Sequence, residues 1–203
     1  MFCDLRDSNT LQEIHGISCR TRKCGQLTGI AAVFLLMACN DPSASTPASS
    51  GKCGNNGHFS GQLYGSLEAE LQWGPDALQC QGMPRPNNAG ARLRFAGSAD
   101  MEGQPVSIAF ILGIPDLQRG QVARELLTNV TVINEGNGRF FATQDIEACW
   151  SDIEAQEKTA KESEFQVRGI LYCVSPLAEL HGNGSLRLSE ITFSGLVNWK
   201  PPE

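Results

Sequence analysis

The sequence lacks an apolar segment long enough to span a bilayer and, beyond residue 38, it lacks a cluster of basic residues. Its longest apolar-type run is the twelve residues 27–38, whereas a transmembrane helix needs about 20. From residue 39 onward, 12 Lys and Arg stand against 19 Asp and Glu, a formal charge of −7. This acidic balance argues against nucleic acid as a partner and against electrostatic attachment to anionic lipid.

Histidine is also scarce, which limits the catalysis that the sequence supports. Only His58 and His181 lie beyond residue 38, and hydroxyl or thiol nucleophiles most often need a histidine base. Neither accompanies a nucleophile motif, and the run His181–Ser185 lacks the G-x-S-x-G spacing. We therefore predict that the chain is not an enzyme, with no catalytic residue and no cofactor.

The N-terminal region has the parts of an export signal. The basic cluster 20–23 precedes the apolar run 27–38, which ends at a small residue before Cys39. The sequence Leu36-Met37-Ala38-Cys39 resembles the lipobox of bacterial lipoprotein precursors. The resemblance implies that the Cys39 thiol receives a diacylglyceryl group, that cleavage precedes Cys39, and that the acylated residue anchors the protein in a lipid bilayer. An uncleaved anchor helix with an incidental cysteine is the alternative.

Three segments are predicted from composition. Residues 1–38 form the signal peptide, of which residues 1–19 are interpreted as an over-long extension ahead of the true start. Residues 39–52 comprise the lipidated cysteine and a flexible linker, because small polar residues and prolines bury too little apolar area to offset the entropy of ordering. Residues 53–203 form a single β-rich domain.

Four cysteines follow Cys39, and an even number is typical of a disulfide-bonded exported chain. They are Cys53, Cys80, Cys149 and Cys173. Of the three possible pairings, the neighbouring pairs Cys53–Cys80 and Cys149–Cys173 are favoured. Their spacing is too wide and irregular for a zinc ribbon, so no metal site is predicted.

Two-residue periodicity dominates the chain after residue 53. Apolar residues alternate with polar ones from 59 to 73, which predicts one long strand or a strand bent at its glycines. Alternation returns at 91–95 and at 106–112.

Two hairpins are predicted from turn-forming residues. One connects 129–133 to 139–143, and the other connects 166–174 to 185–188 through a turn at 181–184. In the last strand the apolar phase shifts near Ser189-Glu190, which indicates a bulge.

Helix signals are weak. Residues 151–164 start with a capping serine and early acidic residues but contain few apolar positions, so they are predicted as one short solvated helix or mobile excursion. A short helical turn at 119–127 is the other candidate. The fold class predicted is all-β, an antiparallel β-sandwich, with a partly closed β-barrel as the alternative.

A binding or assembly role in the bacterial cell envelope is the function that these patterns favour, at the outer membrane or periplasmic face rather than the inner membrane. The partner expected is an unknown envelope protein or glycan. A carbohydrate-binding module is an alternative, because Tyr64 is the sole aromatic residue on the polar face of 59–73 and a ring can stack on a pyranose. Trp73, Trp150 and Trp199 are expected in the core or at strand ends, with Trp150 covering a disulfide.

Paired carboxylates keep a third hypothesis open, an envelope hydrolase. Glu68 and Glu70 share one side of the predicted strand, and Asp145 and Glu147 have the same spacing. An acid and a base facing a sugar suffice for glycoside hydrolysis, although such pairs are also common on solvated strand faces.

Overall fold

The computed structural model describes residues 53–86 and 89–200. Its strands are β1 His58–Gly65, β2 Ala69–Trp73, β3 Gln79–Pro84, β4 Ala91–Met101, β5 Gln104–Ile114, β6 Ala123–Leu127, β7 Asn129–Asn134, β8 Arg139–Ala142, β9 Cys149–Lys158, β10 Glu164–Cys173, β11 Leu177–Glu179, β12 Ser185–Leu188 and β13 Ile191–Asn198. The predicted signal peptide, Cys39 and linker lie outside the described residues. Within the described ranges, no helix has the length and apolar character needed to cross a membrane.

One open, antiparallel sheet contains all thirteen strands, and it does not close into a barrel. The strand order is β3-β4-β5-β7-β8-β11-β12-β1-β13-β10-β9-β6, with β2 pairing to β1. The sheet folds over on itself, so that β1 packs face to face against β4 and β5. The ring centroid of Phe59 in β1 lies 5.1 Å from that of Phe95 in β4 and 4.6 Å from that of Phe110 in β5. The fold is therefore the antiparallel β-sandwich that the alternation predicts.

The predicted bulge lies where β12 meets β13, and it allows these strands to act as one long bent strand. Leu63 of β1 is opposite Leu188, whereas Ser60 is opposite Thr192, so the bent strand contains one residue more than β1 across this interval. Ser189 fills the irregularity by accepting a hydrogen bond from the Gln62 N–H at its Oγ and donating its own N–H to the Gln62 carbonyl. The extra residue moves the buried side from even-numbered to odd-numbered positions.

Residues 59–73 form a hairpin rather than one long strand, so this prediction was wrong. β1 ends at Gly65 and the chain returns as β2, with Phe59 opposite Trp73 and Leu63 opposite Ala69. The connection has three residues, 66–68, which keeps odd-numbered residues on the same face in both strands. Alternation therefore continues through the turn and conceals it.

Residues 151–164 contain no helix or mobile excursion, and this prediction was also wrong. Residues 151–158 continue β9, which pairs with β10 on one side and with β6 on the other. Only Ser151 and Ile153 of this stretch are buried, so Ile153 is its single buried apolar side chain. Backbone hydrogen bonds to β10 and β6 hold a segment whose sequence looks too polar for a strand. Residues 119–127 likewise form no helical turn, because 123–127 are β6.

The two hairpin predictions had different outcomes. β7 and β8 pair as predicted, with Val132 opposite Phe141. The turn at 181–184 exists, but it connects β12 to the short strand β11. The strand predicted as its partner, β10, pairs instead with β9 and β13.

Aromatic side chains fill the centre of the sandwich. Phe59, Phe95, Phe110 and Phe193 are fully buried, and Trp73 is 3% exposed. Each such side chain contributes about 1.5–3 kcal/mol when it is removed from water. The Trp73 indole N–H donates to the carbonyl of Ser98 at 2.7 Å, so its polar atom is satisfied inside the core.

Two disulfides join neighbouring segments, in the pairing that the spacing favours. Cys53–Cys80 connects the first described residue to β3, and Cys149–Cys173 connects β9 to β10. Cys149 and Cys173 are directly opposite each other in the sheet register. This cross-strand bond therefore fixes the alignment of β9 and β10.

An ion pair between Arg139 and Glu179 connects β8 to β11 and to the turn that precedes β12. The Glu179 carboxylate accepts hydrogen bonds from Arg139 Nε at 2.6 Å and Nη2 at 3.1 Å, and from the Gly184 N–H at 3.0 Å. Arg139 also donates to the carbonyl of Ser66 and lies 5.1 Å above the ring of Phe141. The hydrogen bond from Arg139 lowers the pKa of Glu179, opposed by burial and reinforced by Gly184.

The pH dependence of Glu179 gives a testable prediction. A carboxyl group whose folded-state pKa is lowered stabilises the fold above its ordinary value of 4.5 and loses that contribution as pH falls through the lowered pKa. We expect Glu179→Gln to unfold at lower urea concentration than the native chain at neutral pH, and the two midpoints to converge in acid. Glu70→Gln, an exposed carboxylate on β2, is the control. A midpoint difference that is independent of pH would contradict the assignment.

The turn between β4 and β5 gives a second prediction. Glu102 and Gly103 both have positive φ, 56° and 78°, as a type I′ turn requires, and asparagine tolerates this conformation better than glutamate. We expect Glu102→Asn to raise the free energy of unfolding by about 1 kcal/mol, measured by urea denaturation with disulfides intact. Glu68→Asn removes the same charge in a turn residue without positive φ. Equal shifts in both variants would show that charge, rather than backbone strain, is responsible.

Candidate functional site

Tyr64, the residue predicted from sequence to bind a sugar, lies on β1 with 46% of its surface exposed. Its hydroxyl donates to the side-chain oxygen of Gln62, and Arg187 is opposite it on β12. The ring is therefore accessible, with a polar neighbour on its own strand. Its role in binding stays a prediction.

The carboxylate pairs of the hydrolase hypothesis are exposed. Glu68 lies in the β1–β2 turn and Glu70 on β2, while Asp145 and Glu147 belong to the loop between β8 and β9. Among residues 53–86 and 89–200, no three His, Cys, Asp or Glu side chains converge as a metal site would require.

The two histidines occupy separate elements. His58 begins β1 and lines a depression of about 130 Å³ with Glu157 and Arg168, and neither Glu68 nor Glu70 lines it. His181 lies in the β11–β12 turn with φ of 63°. The structure thus brings the His58 imidazole near the exposed carboxylate of Glu157, in a shallow depression.

The most distinctive surface lies on the outer face of β9 and β10. In β9, Cys149, Ser151 and Ile153 are buried, so the alternate residues Trp150 and Asp152 point outward. Tyr172 of β10 is directly opposite Trp150. Their rings are nearly parallel, at 20°, with centroids 6.0 Å apart. Trp150, which the sequence predicts to cover the disulfide, is therefore part of an outward-facing aromatic pair.

Glu125 of β6 completes this surface. Together with Trp150 and Tyr172 it lines an open groove of about 310 Å³. Glu125 has φ of 53°, and the register between β6 and β9 shifts between Ala123 and Leu126. Such an irregularity redirects a side chain at a sheet edge, and here it brings a carboxylate to the aromatic pair. We call Glu125, Trp150, Asp152 and Tyr172 the aromatic–acidic groove.

Electrostatics couple the members of the aromatic–acidic groove. The Glu125 N–H donates to Asp152 Oδ1 at 2.7 Å, which fixes the backbone of one acidic residue to the side chain of the other. Burial raises the pKa of Tyr172, and the charges of Asp152 and Glu125 raise it further. The phenol therefore stays protonated at neutral pH, and both carboxylates act on the ring.

A second cavity lies near the end of β13. It has a volume of about 350 Å³, and its lining includes Pro84, Pro115, Asp116, Arg119 and Trp199. The indole nitrogen of Trp199 is buried without a hydrogen-bond partner among the described residues. Buried donors are normally satisfied, so a polar acceptor at this position would stabilise the site.

Sequence reasoning missed the aromatic–acidic groove, although one signal for it was present. Trp150 follows Cys149, and Tyr172 precedes Cys173. If the two cysteines form a cross-strand disulfide in an antiparallel pair, the adjacent aromatic residues must also be opposite each other. This inference requires residues after Cys149 to be a strand, whereas the sequence pattern at 151–164 predicts a helix or mobile excursion. No sequence signal indicated Glu125, because its position depends on the irregular pairing of β6.

Comparison with known proteins adds no family to this description. The chain matches no protein-family model, no curated protein and no solved structure.

Proposed function

We propose that this chain is a bacterial envelope lipoprotein, anchored through acylated Cys39, whose β-sandwich binds an envelope ligand or partner. The observation that carries the proposal is the pair of disulfides, Cys53–Cys80 and Cys149–Cys173. Disulfides form and persist in oxidising compartments outside the cytosol. They support export by evidence that is independent of the lipobox-like sequence at 36–39.

The proposed anchor explains how an acidic protein is held at a membrane. Its net charge from residue 39 onward is −7, which opposes adsorption to anionic lipid. Each buried methylene of an acyl chain contributes about 0.8 kcal/mol, and two or more chains on one residue give stable attachment. The sandwich then needs no apolar membrane-binding surface of its own and remains available for binding at the outer membrane or periplasmic face.

The shape of the surface supports binding. The aromatic–acidic groove is open to solvent, and its two rings come from strands whose alignment a disulfide fixes. Aromatic side chains on rigid strands supply a large contact area at a low entropic cost. A ligand or partner can therefore bind without rearrangement of the sheet.

The anchor is tested by comparing Cys39→Ser with the native chain after expression in a bacterium. We expect the native protein to remain in the membrane fraction after high-salt washing and to have the mass of the chain from Cys39 plus acyl groups. The variant should be neither cleaved nor acylated there. Reduction should add four hydrogens to the native protein, two for each disulfide.

Cys24→Ser is the matched control, because Cys24 also lies before the described residues but outside the lipobox-like sequence. It should leave processing and membrane retention unchanged. Normal processing and retention of Cys39→Ser, or four free thiols in the mature native protein, would overturn the proposal.

A further inference from the structure

The aromatic–acidic groove combines two features that attract the same kind of ligand. The face of an aromatic ring carries negative charge density and attracts cations within about 6 Å of its centroid. Trp150 and Tyr172 present two nearly parallel rings at the surface. The carboxylate of Glu125 lines this groove, and the carboxylate of Asp152, which accepts a hydrogen bond from the Glu125 N–H, adds a second negative charge beside it.

Neither of these two carboxylates has a salt-bridge partner among the described residues, whereas Glu154 and Glu164 in the same arm of the sheet each have one. Arg168 pairs with Glu154 at 3.7 Å, and Lys161 pairs with Glu164 at 3.1 Å. Within the described part of the chain, Glu125 and Asp152 have no such partner. The groove therefore has an unbalanced negative charge that a bound cation would neutralise.

The backbone at Glu125 supports a binding role for its side chain. Its φ of 53° is unfavourable for a residue with a Cβ atom, and the hydrogen bond to Asp152 maintains this conformation. Strained backbone of this kind is concentrated at functional sites. The strain has the effect of keeping a carboxylate beside the rings.

We infer that the aromatic–acidic groove binds an organic cation, and specifically a quaternary ammonium group. A hard metal ion is disfavoured because it prefers several oxygen ligands, whereas half of this site consists of aromatic rings. A primary ammonium is strongly hydrated, so leaving water costs it more than it costs a methylated ammonium. A quaternary ammonium has an apolar surface that packs on the rings and a charge that the carboxylates attract.

This inference deepens the proposed binding role and depends on it, but it does not depend on the lipid anchor. Anchoring is measured by the fate of Cys39, and ligand binding is measured on purified protein. Failure of one experiment therefore leaves the result of the other interpretable.

The test uses the full protein purified from the expressing bacterium, in a mild nonionic detergent if it fractionates with the membranes, with choline chloride as the probe. Binding is followed by the change in tryptophan fluorescence and by saturation-transfer NMR of the choline methyl groups. We expect choline to bind, and its neutral carbon isostere 3,3-dimethylbutanol to bind at least about tenfold more weakly, because it lacks the charge. Glucose serves as the neutral sugar probe.

Variants then assign the binding to the groove. Glu125→Gln and Asp152→Asn keep the shape of each side chain, and each should weaken choline binding about three- to fivefold. Trp150→Leu should weaken it about tenfold. Glu68→Gln and Tyr64→Leu, which remove a charge and a ring elsewhere, should have no effect.

The outcomes separate the possibilities. Equal affinity for choline and its carbon isostere would overturn the inference by showing that the groove is only apolar. Binding of glucose that is lost in Trp150→Leu, without binding of choline, would overturn it in favour of a sugar. Unchanged choline affinity in both Glu125→Gln and Asp152→Asn would place the cation elsewhere. Circular dichroism checks that each variant folds, and the isosteric acid variants keep the test decisive if Trp150→Leu does not fold.

Discussion

The pairing of β1 with the bulged strand formed by β12 and β13 is the interaction on which the rest of the sandwich depends. β1 contacts both halves of that strand, and through them it connects the arm containing β11 and β8 to the arm containing β10 and β9. The single extra residue at Ser189-Glu190 changes which side of the strand is buried, so that Leu186 and Phe193 both reach the core. Without that residue, one half of the strand would present its apolar side chains to water.

Much of this fold is readable in the sequence, because alternation reports which face of a strand is buried. It predicted the sandwich, the strands at 91–95 and 106–112, and the bulge near Ser189. It failed at 59–73, because a three-residue turn preserves the alternation, and at 151–164, because β9 is held mainly by backbone pairing to β6 and β10. These backbone hydrogen bonds come from strands that are neighbours in space, so a short stretch of sequence does not reveal them.

The candidate site, like the fold, was predictable from the sequence only in part. Trp150 is next to Cys149 in the sequence, and Tyr172 is next to Cys173. Once these cysteines are paired across two strands, the two aromatic residues must also be opposite each other, so half of the groove was predictable. Glu125 was not, since its position depends on a register shift in a pairing between residues about 27 apart in sequence. The Cys149–Cys173 disulfide links these observations to the proposed location of the protein. The covalent bond that aligns the two rings is stable only where thiols become oxidised, so the groove is held in register in the compartment where it is proposed to act.

The irregular strand β6 has a further consequence, because it is the last strand at one end of the sheet. A regular edge strand offers free N–H and C=O groups to which another chain can add. At Glu125 the left-handed backbone and the register shift against β9 interrupt this regular edge. The same residue that contributes charge to the groove therefore also makes this edge less regular, and an irregular edge is less suited to the addition of another strand.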